Sequence, residues 1–316
     1  MQIRPINPER DFPAVVKLHN CYEKEPITVE QFSQYFHLDV PGRTNRRRVA
    51  VDEQGKVCGY SLCINETWHA DGFYYVWLCV AGKWQKQGVG ELLYQDVEAF
   101  GAANGASLLT SEIREDFSSA LRFAEQHGFH IERHLYESTL DLEQFDPAPF
   151  QAVLHQVEAQ GVRFVSLADL GDTQEARRKL YQVNYTTALD TPGYDGDWMP
   201  FDEFEQRICG ADWYRPQGQL GALLGDQWVG MSAVNLNPET HGAYNLMTGV
   251  LREYRGRGIA QALKLKIIDY AKNNGAKYIR THNNSKNAPM LAINRKLGYR
   301  PEPGVYEVRK GCTSQI

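Results

Sequence analysis

Apolar residues run almost unbroken through residues 57–64 and 74–80, and again through 228–236 and 244–250. Runs of this length, bounded by Gly, Asp and Asn, predict strands. Asp52-Glu53-Gln54-Gly55 joins 48–51 to 57–64 as a hairpin. Val89, Leu92, Leu93, Val97 and Phe100 recur instead with helical spacing. They predict a helix over 88–103, stopped by Asn104-Gly105. The rest of the first half predicts a strand at 3–6, helices through about Phe36, strand 107–113, helix 118–127 and strand 129–140. The second half predicts strand 164–167, helix 180–188, strands 221–224, 228–236 and 244–250, helix 258–272, strand 278–281, helix 288–297 and strand 305–308. Residues 141–161 read as a linker with a short helix opened by Pro147. A mostly antiparallel meander with one crossover helix in each half predicts an α+β fold class.

The two halves are related. A shift of 170 residues aligns 80–129 with 250–299 without a gap, and 8 of 50 positions are identical. Gly88/Gly258, Gly128/Gly298 and the helix-ending Asn-Gly-Ala coincide. A period this long predicts two copies of one domain, at 1–140 and 162–316. The front parts align at an offset of 161, so the second copy carries about nine extra residues, near 190–198.

Composition narrows the function. The 34 basic and 39 acidic residues give a net charge of −5, which supplies no broad attraction to nucleic acid or anionic membranes. No apolar run reaches the ~18–20 residues that span a bilayer. The first residues form no apolar leader core. The six cysteines include no Cys-x-x-Cys pair. Buried free thiols in a reducing, cytoplasmic setting are therefore expected. His127, His130 and His134 have no acidic partner at fixed spacing, so no metal site is expected.

Both halves carry the same strand–loop–helix element. Half one reads Val80-Ala-Gly-Lys-Trp-Gln85-Lys-Gln-Gly88-Val-Gly90; half two reads Val250-Leu-Arg-Glu-Tyr-Arg255-Gly-Arg-Gly258-Ile-Ala260. Small residues there let the backbone approach a diphosphate, and free N–H groups at the helix start point at it. No Gly-Lys-Ser/Thr follows, which excludes a nucleotide P-loop. Gln261 stands where a dinucleotide fingerprint needs its third glycine.

With this element, the Asn-Gly-Ala stop and the Leu297-Gly298-Tyr299 ending, the chain resembles the GNAT superfamily of acyl-CoA N-acetyltransferases. Two copies resemble its tandem arrangement, of which mycothiol synthase is the best-known type. The resemblance implies two α+β domains, each a mixed, mostly antiparallel twisted sheet flanked by helices. It implies acetyl-CoA as cofactor, an amine as acceptor (small and cationic, by the clustered carboxylates and aromatics of the inserted loop), and direct attack on the thioester without a covalent enzyme intermediate. The diphosphate would lie on Arg255, Gly256, Arg257, Gly258, Ile259 and Ala260, with Asn287 on the cofactor arm. Asn287 equally suits a helix N-cap. Val250 N–H would polarise the thioester carbonyl.

The family often has a proton-donating Tyr seven residues after that Asn. Here the position holds Asn294, and half one has Ala124 there and Phe117 at the Asn position. Half two is therefore expected to be the catalytic copy, with half one degenerate but able to hold CoA at Gln85, Gly88 and Gly90. Thr248 and Glu239 are further catalytic candidates, beside His241 and Tyr244. Asp190, Tyr194, Asp197 and Trp198, in the inserted loop, would bind the acceptor. The other class consistent with the missing Tyr is a weakly catalytic acyl-CoA-binding or regulatory module. The expected assembly is a monomer acting as an internal pseudo-dimer, or a homodimer.

Overall fold

The computed structural model describes residues 1–194, 196 and 198–312. The first-half elements are β1 (Gln2–Pro5), α1 (Pro8–His19), α2 (Val29–His37), β2 (Thr44–Val51), β3 (Val57–Asn65), β4 (Phe73–Val80), α3 (Val89–Ala103), β5 (Leu108–Arg114), α4 (Ser118–Gln126) and β6 (His130–Asp141). The linker helix α5 (Gln151–Ala159) follows. The second half holds β7 (Val162–Ser166), α6 (Gln174–Ala188), α7 (Phe201–Phe204), β8 (Gln219–Leu224), β9 (Gln227–Asn237), β10 (Gly242–Val250), α8 (Ile259–Asn273), β11 (Tyr278–Asn284), α9 (Ala288–Lys296) and β12 (Arg300–Gly311). Every strand and helix the apolar pattern predicts is present, and the class is α+β.

The largest differences from the pattern are at α6 and β12. Helix α6 starts at Gln174, capped by Thr173; its first turns (Gln-Glu-Ala-Arg-Arg-Lys) bury only Ala176 and so carry little apolar signal in the sequence. Strand β12 runs for 12 residues through Pro301 and Pro303, which sequence rules place outside strands.

The chain forms two compact units, Met1–Glu132 with Tyr306–Ile316, and Arg133–Val305. This division departs from the boundaries drawn at 140 and 162. In the first unit the strand order is β1-β2-β3-β4-β5, followed by the end of β12. Thr110 Oγ1 donates to Val308 O at 3.3 Å, and Cys312 N–H to Ser107 O at 2.8 Å. Val308 is buried with Tyr74, Val76, Tyr94, Val97 and Phe129. Lys310 Nζ donates to Tyr94 Oη (2.8 Å) and to Glu98 (2.5 Å). In the second unit the order is β6-β11-β10-β9-β8-β7. Strand β6, from the first half, pairs antiparallel with β11 from Tyr278↔Asp141 to Asn284↔Leu135. Each half thus lends its last strand to the other half's unit. The reason is general: β5 and β11 each leave a sheet edge whose backbone groups need partners, and either terminal strand has the hydrogen-bonding capacity to pair there.

In the second unit α8 buries Ile259, Ala262, Leu263, Ile267 and Ile268 against one sheet face, and α5 joins that core through Val157. Helix α6 packs Leu180 and Val183 on the other face against Trp228 and Met231.

Candidate active site

In both units the crossover strands pair only briefly. β4 and β5 are parallel from Phe73↔Leu108 to Tyr75↔Thr110, and β10 and β11 from Gly242↔Tyr278 to Tyr244↔Arg280. Beyond those positions they part, although β4 runs on to Val80 and β10 to Val250. Ala81 N–H bonds Cys58 O on β3, and Leu251 N–H bonds Val229 O on β9. Alternation along a strand then turns the N–H and C=O groups of Val80 and Val250 into the gap. The carbonyls are already held there. Val80 O accepts from Tyr22 Oη (2.6 Å) and Gln85 Nε2 (3.2 Å), and Val250 O from Arg255 Nε (2.9 Å).

The loops that follow share one backbone path. Lys86 and Gly88 have φ of 58° and 81°, and Gly256 and Gly258 have 76° and 87°. Lys86 is therefore a strained left-handed residue where the other copy has glycine. Gly88 and Gly258 are the N-caps of α3 and α8 and offer no side-chain cap, so the helices open with exposed donors.

A cavity of about 670 Å³ lies in the first unit. Gln85, Lys86, Gly88 and Gly90 of the loop line it, then Leu78, Val80 and Ser111, then Tyr22, Glu23, Trp77 and Glu112. Leu109 packs on the α3 face, so Ser111 shares that face and Glu112 points to the opposite one, toward α1. Residues from both faces line the cavity, so it passes through the gap between the strands. Its α1 end carries the carboxylates of Glu23 and Glu112, with Arg114, paired to Asp116, on the same strand face. Burial, reinforced by the charges of Glu112, Glu23 and Glu307, pushes the Tyr75 phenol well above its usual range.

In the second unit β10 and β11 part in the same way, and one hydrogen bond crosses at the start of the gap. Thr281 Oγ1 donates to Asn245 O at 3.2 Å across it. By strand register these two residues correspond to Ser111 and Val76, both lining the first cavity. A β-bulge lies between Asn245 and Met247. Asn245 Nδ2 holds the bulge through Met247 O (2.9 Å) and Ala233 O (3.0 Å). Its Oδ1 accepts from Lys264 Nζ (2.6 Å) and Thr248 Oγ1 (3.1 Å), and Thr248 also meets Ser232 Oγ at 2.7 Å.

Lys264 is fully buried, and burial lowers its ammonium to about 7 from 10.5. Between those values the unfolded chain keeps a proton that the folded chain releases, so this residue makes stability rise with pH from about 7 to 10.5. Lys264→Met is expected to raise Tm at pH 6, with an advantage that shrinks toward pH 10. A Tm unchanged or lowered at pH 6 would show that Asn245 and the Tyr299 ring compensate the buried charge.

The other sequence candidates can now be placed. Asp190 pairs with Arg252 and with Arg255 (2.5 Å), which hold its carboxyl below the usual range. It thereby holds Arg255, which binds Val250 O, much as Tyr22 meets Gln85, which binds Val80 O, in the first unit. Arg257 lies over the Tyr254 ring, and its carbonyl accepts from Gln160. Ile259 is buried in the core, and Ala260 packs against that core. Asn287 caps α9, accepting from Met290 N–H at 3.4 Å. Asn294 is buried, donates to Asn283 Oδ1 at 2.6 Å, and leaves its own Oδ1 without a partner. Glu239 is exposed in the hairpin loop at the end of β10 opposite Val250, so the structure does not bring it to the gap. Tyr194 and Trp198 form an aromatic group with Tyr181 and Tyr185, with ring centroids 5.5–6.2 Å from Trp198. Asp197 lies outside the described residues. His127 pairs with Glu91, and no metal-holding group of three His, Cys, Asp or Glu occurs among the described residues. Nor is any described helix long and apolar enough to cross a membrane.

Sequence reading missed Glu23 and Glu112, because they sit outside any motif. A weak signal existed: Glu137 and Glu307 stand 170 residues apart, as do Glu112 and His282.

The profile of the acetyltransferase (GNAT) family matches residues 12–129 and 185–299. The chain belongs to this family. It is thus a tandem GNAT acetyltransferase, with one copy of the fold in each half. Among curated proteins, N-alpha-acetyltransferase 30 of Schizosaccharomyces pombe is 29% identical over 105 residues, covering 32% of this chain and 67% of that protein. Two solved structures align over 98% of this chain. The GCN5-related N-acetyltransferase of Sphaerobacter thermophilus has a TM-score of 0.74 at 21% identity and is covered to 95%. A tandem GNAT protein from the clavulanic acid biosynthesis pathway has a TM-score of 0.75 at 17% identity and is covered to 98%. At these identities the likeness is one of fold.

Proposed function

We propose that this acetyltransferase moves an acetyl group from acetyl-CoA to a small cationic amine, and that the first unit is the principal site. The observation that carries this is the cavity running from the loop at Gln85–Gly88 through the strand gap to Glu23 and Glu112. The donors at the start of α3 suit the diphosphate, with Lys86 beside them. The gap suits the pantetheine arm, and Val80 N–H faces the place of the thioester carbonyl. The carboxylates at the far end attract an ammonium and take its proton. The amine nitrogen then bonds to the acyl carbon, the C–S bond breaks, CoA leaves as the thiolate, and the second nitrogen proton, lost as the amide forms, passes to that thiolate or to solvent.

One observation favours the reading in which the second unit does the chemistry at Val250 and Thr248. Its β-bulge at Asn245/Met247 opens β10 just before those residues. Thiol release from acetyl-CoA over a panel of amines, with Gly88→Asp beside Gly258→Asp, separates the two. The first-unit reading expects Gly88→Asp to lose at least about 100-fold, as removal of an essential positioning element does, and Gly258→Asp far less. The reverse ranking moves the chemistry to the second unit. Equal loss removes both assignments. Release with no amine leaves an acyl-CoA-binding module, and preference for an anionic acceptor counts against the carboxylate end.

A further inference from the structure

The second unit holds a linked set of titratable side chains that the first-unit chemistry does not use. Tyr244 Oη lies 2.8 Å from His282 Nδ1. His282 Nε2 lies 3.3 Å from Glu137 Oε2, an ion-pair distance outside hydrogen-bond geometry. Arg280 Nε donates to the other oxygen, Glu137 Oε1, at 2.5 Å. Glu137 is 1% exposed.

Strand register explains why these residues meet. His282 stands opposite Glu137 on β6, and Arg280 beside Tyr244 on β10, at the last paired position before the strands part. Ile279 packs on the α8 face, so Arg280 and His282 point to the α6 face. The inserted loop is tied to this face by Asn284 Nδ2 to Pro192 O (2.8 Å) and Arg133 Nη1 to Gly193 O (2.5 Å). In the first unit the register equivalent of His282 is Glu112, which lines the acceptor end of the cavity.

We propose that the second unit is a second acetyl-transfer site, in which Tyr244, His282 and Glu137 form the acceptor-side proton relay. Its family chemistry rests on the acetyl-transfer reading above; its residues do not rest on the first-unit assignment. Tyr244 is the group that meets the amine, and His282 and Glu137 are positioning residues. In this relay His282 carries its proton on Nε2, at ion-pair distance from the carboxylate, and Nδ1 accepts from the phenol. As the N–C bond forms, the amine proton passes to Tyr244 Oη and the phenol proton to His282 Nδ1. The C–S bond breaks and CoA departs as the thiolate. Glu137 stabilises the imidazolium until it returns the proton to solvent. The Glu137 carboxylate is shared with Arg280, so this end offers little net charge to a second cationic centre and suits a monoamine.

Two measurements test this. In the free, histidine-labelled protein, long-range proton–nitrogen spectra are expected to show His282 protonated at Nε2 only, with the Nδ1 resonance moved by Tyr244→Phe. In a Gly88→Asp background, a slower turnover of a monoamine is expected to remain. His282→Gln should lower its kcat by about 100-fold and leave KM for acetyl-CoA within about twofold. If Gly88→Asp does not fold, Glu112→Gln serves as the background. A proton on Nδ1, an unchanged kcat, or no turnover left once the first unit is silenced overturns the relay. Failure of the parent protein to release thiol with any amine instead overturns the acetyl-transfer reading, and the spectra still report on the geometry.

Discussion

Ending the chain at Val305 is expected to unfold the first unit, whose core residues lie mostly more than 170 positions away. The removed segment supplies Val308, 1% exposed among Tyr74, Val76, Tyr94, Val97 and Phe129. It also supplies the backbone partners of β5 at Thr110 and Ser107, and the Lys310 contacts to Tyr94 and Glu98. Without it the β5 edge loses its partners and an apolar face opens to water. Denaturant unfolding should lose the transition of the first unit, and acetyl-CoA should no longer bind there. The single change Val308→Ala should cost about 2–3 kcal/mol by the usual cost of deleting buried methyl groups. A truncated chain that keeps a cooperative first-unit transition would show that residues 306–312 merely rest on the sheet.

Glu112→Gln is expected to lower kcat for cationic amines by about 10²–10³, the usual contribution of a placed general base. Glu112 lies at the α1 end of the cavity with Glu23, and both charges reach the Tyr75 phenol. The amide keeps the size and loses the charge, so acetyl-CoA affinity should hold. Glu23→Gln should act mainly on the amine KM, because that residue comes from the segment after α1 and not from the parted strands. Steady-state kinetics over a series of mono- and diamines checks both. If Glu112→Gln retains full kcat, the base is elsewhere and the carboxylate end only attracts.

Much of this protein could be read from its residues in order. Periodic apolar positions place β3, β4, β9 and β10, and the crossover helices α3 and α8. Local chemistry marks the helix starts at Gly88 and Gly258, where left-handed backbone needs glycine and anion-binding donors are left free. These signals are local, and the 170-residue repeat doubles each of them.

What the sequence leaves open is non-local. Nothing in β6 or β12 tells which sheet edge each completes, since backbone donors and acceptors are alike at both. Nor does a single position tell whether a gap is open. Val76 and Ser111 line a cavity, while Asn245 and Thr281 at the corresponding place share a hydrogen bond at the start of the gap. Glu112, His282 and Glu137 acquire chemical meaning only through strand register, which sets them on the sheet face turned away from α3 and α8, beside residues from distant elements. The sequence by itself determined the family, the repeat and the two glycine loops at the helix starts, because each rests on neighbours along the chain. Only the tertiary structure decided which strands close which unit and which side chains line each gap, because pairing and burial join residues that the chain keeps far apart.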